Sequence, residues 1–475
     1  MRRLTDDPIY ATIPINAPDL LEITGGDIWL ADAIAVLYHQ MYMQRLSDWG
    51  KGSDDRPHWY AEKYVTLASR TLRRLLTKNY RKRVIEFMLK KGLLYEYYAF
   101  SGGESYLTGV RSKLFKIPPR LLIPQNGNKN FRKHKVTTYI MLKNIKKLLS
   151  ENRPGIQISY GHEKPWVGKL VEMGNQLTAN VERATGYIGE LPESPDPERP
   201  SMLALQIEKA STNEGRCKFD NFAGRFYSLF THLKKELRPY FRFEGFEDNP
   251  HFLLDFNCFQ PLLIGYLLKY PSILEEFLPE FSSLMPIIEI SSSDPSVNTF
   301  LNLCCEAHLY QYWFQKRGLT DGGKELSGEE KRETKKELFR ILFGRSKSPK
   351  RGTLIAPLQT FQSEFPGVLQ AIQKIKSEKF PFLGSIYIDK SGTLQSEKMN
   401  YKVMSYIAQK LETRIILDTI VPRLIEKGIT PFVTIHDAFW LPEKLVDSAH
   451  EEIMSFFSER GLMPPSLSHE ELKLS

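Results

Sequence analysis

Two aspartates and one helical stripe hold the side chains whose types and spacing could do chemistry. Asp255 closes the apolar run Phe252–Leu254 in "HFLLDFNCFQPLLIGYLLKY", and Asp437 sits between the apolar runs "FVTI" and "AFWLP" in "PFVTIHDAFWLPE". Each has an ordinary reading, Asp255 as a helix cap and Asp437 as a turn residue at a hairpin tip. Each also has a chemical one, a hard carboxylate oxygen held on rigid backbone for a divalent cation. Between them, Lys331, Lys335, Phe339 and Phe343 recur every four residues, and Gly344 follows. Four residues advance about 400° around a helix, so these side chains form one slowly rotating stripe. Two cations and then two aromatics suit a triphosphate at one end and a stacked base at the other. The plain alternative is an amphipathic helix with solvated lysines and core phenylalanines.

Positioning these groups takes a small set of elements. Phe252–Leu254 reads as a buried strand ending at Asp255, and Pro261 suits the first turn of a helix carrying Leu262, Leu263, Tyr266 and Leu267. Ser327 and Glu330 have capping-box spacing, which marks the start of the stripe helix. A long helix, "VMSYIAQKLETRIILDTIVPRLIEKG", ends at Gly428, and strand, His436-Asp437 and strand follow. Short strands alternating with long helices make this half α+β.

The chain has 475 residues, 41% hydrophobic and 12% aromatic, which is a globular and not a disordered composition. No run of about 18 apolar residues exists, so no membrane partner is expected. The opening "MRRLTDDPIYATIP" lacks the apolar core of a signal peptide. Four cysteines form neither a disulfide framework nor a C-x-x-C zinc pair, so a reducing, cytoplasmic location is expected. The net charge of +9 is unevenly spread. Arg70, Arg73, Arg74, Lys78, Arg81, Lys82, Arg83, Lys90 and Lys91 face only Glu86, and a second basic stretch runs from "NKNFRKHK" to "KNIKKLL". Charge concentrated this way is the footprint of phosphate-backbone contact.

"WYAEKYVTLASRTLRRLLTKN" reads as an amphipathic helix, "YRKRVIEFMLKKG" as a second, and "LLYEYYAFSGGESYLTGVRSKLFKIP" as a hairpin about Gly102-Gly103. Helix, basic helix, hairpin resembles a winged-helix module. That resemblance implies a groove-reading second helix with Arg81, Lys82 and Arg83 at the DNA. The proline-rich "LPESPDPERP" marks a linker.

The three motifs of the second half resemble those of the family A DNA polymerases and their relatives, the single-subunit phage-type RNA polymerases. In that superfamily the first motif is an Asp at a strand end. The second is a helix with R-x-x-x-K-x-x-x-F-x-x-x-Y-G, and the third a hairpin with His-Asp at its tip. "KRETKKELFRILFG" fits the second at every spacing, with Lys331 for Arg and Phe343 for Tyr. Upstream, "AGRFYSLF" resembles the Gly-Arg segment that contacts the primer–template minor groove, here Gly224 and Arg225. The resemblance runs from about Gly224 to the C-terminus.

The resemblance implies a right-hand polymerase of palm, fingers and thumb preceded by the winged-helix-like domain. The expected division is 1–120 for DNA binding, 121–215 for a thumb-like region with linker, 216–270 and 376–475 for the palm, and 271–375 for the fingers. It implies template-directed nucleotidyl transfer with two Mg2+ ions, or Mn2+ in their place, held by Asp255, Asp437 and the Phe256 carbonyl. Lys335 would face the leaving pyrophosphate and Lys331 the β and γ phosphates. Phe339 would stack on the nucleotide, His436 would position the primer end, and Gly344 would let template backbone pass. DNA and dNTPs or NTPs are the implied partners.

Sugar choice departs from both branches. The DNA branch carries a Glu five residues after the first Asp; Gln260 stands there, still bulky but uncharged. Phe343 lacks the hydroxyl of the usual Tyr, and "HDAF" is nearer the "HDSF" of the RNA branch than the "HDE" of the DNA branch. The bulk of Gln260 favours deoxynucleotides. No acidic constellation of a proofreading exonuclease is recognisable, which suits a compact DNA polymerase of a phage, plasmid or mobile element. The alternatives are a primer-independent RNA polymerase or primase-like polymerase, and an inactive DNA-binding replication or regulatory protein.

Overall fold

The computed structural model describes residues 9–48, 65–66, 75–76, 78–96, 114–122, 131–138, 141–143, 145, 164, 166–191, 199–211, 218–219, 223–228, 230–319, 326–344, 355–378, 380, 385–388, 394–397 and 402–474. The Gly102-Gly103 turn, most of the helix expected from Trp59, and the centre of the proline-rich segment lie outside them.

β1 (Tyr10–Pro14) leads into α1 (Ile28–Asp48). Ala31, Ile34, Ala35, Leu37, Tyr38 and Met41 of this helix are buried, since its sequence is apolar on nearly every side. Asp32 is buried among them but accepts from Thr137 N at 2.9 Å, Thr138 N at 2.7 Å and His134 Nε2 at 2.8 Å, which offsets its desolvation.

Three short strands, β2 (Val65–Thr66), β3 (Tyr95–Glu96) and β4 (Leu114–Lys116), form an antiparallel sheet in the order β2-β4-β3. The basic α2 (Lys78–Lys90) precedes β3. Val65 and Thr66 fall inside the expected amphipathic helix and are strand instead. These two β-branched residues pair with Phe115 and Leu114, and Val65 is buried. β5 (Phe131–Lys135) returns to pair with β1.

Two small ribbons follow. β6 (Leu177–Ala179) pairs with β9 (Phe241–Phe243), and β7 (Lys218–Phe219) pairs with β8 (Phe226–Tyr227).

β10 (His251–Phe256) is an inner strand of the sheet that carries the site. A separate hairpin, β11 (Ser385–Ile388) and β12 (Leu394–Glu397), intervenes in sequence. β13 (Val433–Ile435), β14 (Ala438–Pro442) and β15 (Leu467–Glu471) complete the antiparallel sheet in the order β13-β14-β10-β15. Alternation sends its side chains into two cores. Leu253, Ile435, Ala438 and Trp440 join Phe230, Phe241 and the N-terminal residues. Leu254, Phe256, Phe439 and Leu441 join the helices of the other face. Full burial of Leu254 and Phe439, neither of which is exposed, contributes roughly 2–3 kcal/mol each. The apolar residues on both sides of the proline-rich segment, such as Ile188 and Met202, belong to one buried cluster.

α3 (Phe259–Lys269) is buried on nearly all sides. A Cβ at Gly265 would lie 3.1 Å from Leu301 Cδ1, so glycine permits the close approach of the Pro295–Cys305 helix. α4 (Gly328–Phe343) starts at a capping box: Ser327 N donates to Glu330 Oε2 at 2.8 Å and Glu330 N to Ser327 Oγ at 3.3 Å. It buries Thr334, Leu338, Ile341 and Leu342. Its C-terminus is held by α5 (Pro366–Ser377), whose buried Lys376 Nζ donates to Gly344 O at 2.8 Å and Ile341 O at 3.3 Å. α6 (Val403–Glu412) runs on without a break, but Thr413–Ile420 is π-helical before the α form resumes at Val421. The sequence reads as one regular helix there, and the π turn is a departure from it. α7 (Val446–Glu459) is tied to this helix by Arg423, which donates to Glu459 at 2.7 and 2.8 Å.

Candidate active site

Asp255 is the penultimate residue of β10 and pairs with Ala438, the residue after Asp437. The backbone N–H of Phe256 donates to the Asp437 carbonyl at 3.4 Å, so Asp255 near the end of β10 stands beside Asp437 in the turn between β13 and β14. Burial and then the charge of Asp437 push Asp255 up to about 7; Lys335 pulls the other way. Burial likewise raises Asp437, while its backbone hydrogen bond, Lys335 and Arg225 oppose the rise. Two half-buried carboxylates held side by side resist double ionisation, and a cation between them removes the conflict.

α4 supplies cations to the same place. Lys335 acts electrostatically on both aspartates, and Lys331 and Lys335 both act on Cys258, at the start of α3. Arg332 and Lys336 are paired along the helix with Glu329 and Glu333. Lys331 and Lys335 are exposed and have no acidic partner at ion-pair distance among the described residues. The Lys335 ammonium lies 5.4 Å from the centre of the Phe339 ring, and Phe339 meets Phe343 edge to face at 5.2 Å. An open cleft of about 510 Å3 is lined by Arg332, Lys335, Lys336, Phe339, Arg340, Phe343 and Gly344. Lys331 lies outside that lining, nearer the capped end. A Cβ at Gly344 would sit 2.3 Å from the Arg340 carbonyl oxygen, so this glycine has a reason within its own helix end.

On the other side of the aspartates, Gly224 has φ +78°, a conformation that favours glycine, and sets Arg225 against Glu412. The Arg225 guanidinium and the buried Glu412 carboxylate form a short ion pair, and Gln260 Nε2 donates to the same carboxylate oxygen at 3.4 Å. The two partners pull in opposite senses. Burial drives Glu412 up, with the charge of Arg225 opposing. Burial works to lower Arg225, but Glu412 outweighs it and holds the group above its ordinary value. The ionised pair is the consistent state, since a neutral acid would leave the guanidinium charge buried without a counter-charge.

His436 takes φ 57° at the hairpin tip, and its ring meets Tyr227 edge-on at 5.6 Å. Burial, then the charges of Arg225, His232 and Arg238, push its imidazole down to about 4. Its Nδ1 is buried without a hydrogen-bond partner among the described residues. A neutral imidazole with an unused nitrogen is suited to hydrogen-bond a ligand.

The structure thus brings together Asp255, Asp437, Lys335, Lys331, Gln260, Arg225 and His436. It does not join the basic α2 to them: exposed Lys82 pairs with Glu86, and Arg83 with Asp27. Arg81 is on the same helix, and its side chain lies outside the described residues. Four neighbours carried no motif in the sequence. Glu412 lies at the end of α6. Arg238 and Glu470 act electrostatically on Asp255, and the buried Tyr310 is coupled to Cys258 and Asp437. All four arrive through long-range packing, so only their residue types could have hinted at them.

Among the described residues no group of three or more His, Cys, Asp or Glu side chains is gathered to hold a metal ion. The donor set is two carboxylates, with the Phe256 carbonyl beside them in the chain. Paired hard carboxylate oxygens fit magnesium in type, since it is bound by one or two carboxylates and keeps waters for its other positions.

No protein-family model matches the chain, and no curated protein matches it. Among solved structures it is similar to the "POL domain of Pol1 from M. smegmatis complex with DNA primer-template and dNTP". The TM-score is 0.40 at 11% identity, over 59% of this chain and 52% of that one. The chain therefore spans about half the length of that structure. No described helix is long and apolar enough to cross a membrane.

Proposed function

We propose that the chain is a template-directed nucleotidyltransferase, a compact DNA polymerase without a proofreading exonuclease, built as palm (216–270 and 376–475), fingers (271–375) and thumb-like region (121–215). The observation that carries this reading is the juxtaposition of Asp255, near the end of β10, and Asp437, in the turn between β13 and β14, 182 residues apart in sequence, with the charge of Lys335 acting on both.

Asp255, Asp437 and the Phe256 carbonyl would hold two divalent ions, which supply charge neutralisation at the attacking and leaving oxygens of a phosphoryl transfer. The remaining work falls to the chain. A primer 3′-hydroxyl oxygen bonds to the α-phosphorus, the bond to the β-phosphate bridging oxygen breaks, and pyrophosphate leaves. Lys335 faces the departing phosphates and gives them a proton; the hydroxyl proton passes to water. Lys331 binds the outer phosphates as a point charge, without the bidentate geometry of an arginine. Phe339, with Phe343 behind it, stacks on the base. Arg225 and His436 hold the primer end, with His436 as a neutral hydrogen-bonding group.

α2 and the β2-β4-β3 sheet would form a DNA-binding module resembling a winged helix, with Arg81, Lys82 and Arg83 towards phosphate. Support comes from the exposure of Lys82 and the order of helix and strands. One assay tests the proposal: the full chain with primed and unprimed templates, Mg2+ or Mn2+, and dNTPs or NTPs separately. Deoxynucleotide extension of a primer is expected. Product only from unprimed template and NTPs would favour the RNA-polymerase reading, which the buried Ala438 after Asp437 also fits. No product in any combination would leave an inactive DNA-binding protein.

A further inference from the structure

Gln260 occupies the first turn of α3, five residues beyond Asp255, where the DNA-synthesising branch carries an acid. Its amide is not free in the fold. Nε2 donates at 3.4 Å to Glu412, and the same carboxylate oxygen receives the Arg225 guanidinium. Glu412 is 3% exposed, so its charge is shielded from salt and its position is set by packing. Three elements meet at this oxygen: α3 through Gln260, the Gly224 turn through Arg225, and the junction of α6 with its π turn through Glu412. The next residue, Thr413, is also the neighbour of Gly224, 3.7 Å from where a Cβ there would be. π turns inside α-helices recur at functional sites.

Resting on the polymerase reading, we propose that Glu412 is a positioning residue for sugar selection: it fixes the Gln260 amide and the Arg225 guanidinium through one carboxylate. The acid missing from α3 is supplied from α6. With its nitrogen tied to Glu412, Gln260 presents a fixed wall to the nucleotide sugar, so a ribose 2′-hydroxyl meets a side chain that cannot swing aside. The same carboxylate holds Arg225 at the primer side, so sugar fit and primer-end position share one anchor.

The test compares kcat/KM for dNTP and NTP in the wild type, Gln260→Ala, Glu412→Ala and the double variant, with thermal unfolding alongside. Each single variant lowers the dNTP preference, by about tenfold or more. The double variant falls no further than Gln260→Ala alone, because Glu412 acts through Gln260. Glu412→Gln, nearly isosteric, is read in the same way should the alanine variant not fold: a neutral amide oxygen holds the Gln260 amide more weakly, which lowers the preference, and loss of the counter-charge to Arg225 raises KM for the primer. An unchanged dNTP preference in the Glu412 variants, or additive losses in the double variant, would overturn the inference while leaving the polymerase reading intact. A wild type inert with every nucleotide would instead sink the polymerase reading itself.

Discussion

Lys335 combines three properties: exposure, no acidic partner among the described residues, and electrostatic coupling to two half-buried carboxylates. If it protonates the leaving group, Lys335→Ala lowers kcat by about 10²–10⁴-fold, with a smaller effect on primer binding. Pre-steady-state incorporation kinetics check this, and an unchanged kcat would remove Lys335 from the chemistry. At this scale the sequence was informative where residues recur at fixed spacing. Asp255, Asp437 and the Lys331–Phe343 stripe could be picked out because local periodicity and strand ends frame them. Glu412 could not, because in "AQKLETRII" it reads as one more polar residue on an amphipathic helix. Its burial against Arg225 depends on a contact between residues 187 apart.

Among the elements, α4 depends on both its ends. The Ser327–Glu330 capping box was legible because it is local; the Lys376 cap at the other end was not, because α5 brings it from a distant segment. Ser327→Ala costs about 1 kcal/mol of stability and frays the turn that leads to Lys331. Chemical denaturation reads the first effect and the KM for nucleotide, expected to rise, reads the second. Burial pushes the Lys376 amine down to about 8 from its ordinary 10.5. Between those values the unfolded chain holds a proton that the folded chain releases, so stability rises with pH across that window, and the penalty is full below it. Relative to Lys376→Met, the wild type gains on the order of 3 kcal/mol from pH 8 to 10.5. Denaturation midpoints at both pH values check the sign. The β15–β10 pairing and the π turn were likewise beyond sequence reading. Register across 213 residues leaves no local mark, as with Asp255 and Ser468, and π geometry follows packing and not propensity.

Across the whole molecule two basic regions differ: Lys335 of α4 acts on the paired carboxylates, whereas Lys82 and Arg83 of α2 have acidic partners of their own in Glu86 and Asp27. α2 carries Lys82 and Arg83 on a surface whose packing belongs to the N-terminal core, while the aspartates belong to the four-stranded sheet. If α2 contacts phosphate, Lys82→Glu weakens DNA binding for every sequence, and a Lys82→Ala variant reduces the salt slope by about 1. Fluorescence titrations at several salt concentrations check this, and an unchanged slope would take α2 off the DNA. The α+β character and the order of motifs were readable from the sequence. The sharing of one buried cluster by the N-terminal segments and one face of the sheet was not, because apolar periodicity says which side is buried and not against what.

Primer extension by Asp255→Asn and Asp437→Asn, with primer–template affinity measured on the same samples, tests the central claim most directly. The wild type should extend a labelled primer with Mg2+ and stop on chelation. Each variant should lose about 10³-fold or more in rate while binding primer–template as the wild type does. Extension that survives chelation, or a wild-type rate in either variant, would contradict the assignment of these two carboxylates as the centre of nucleotidyl transfer.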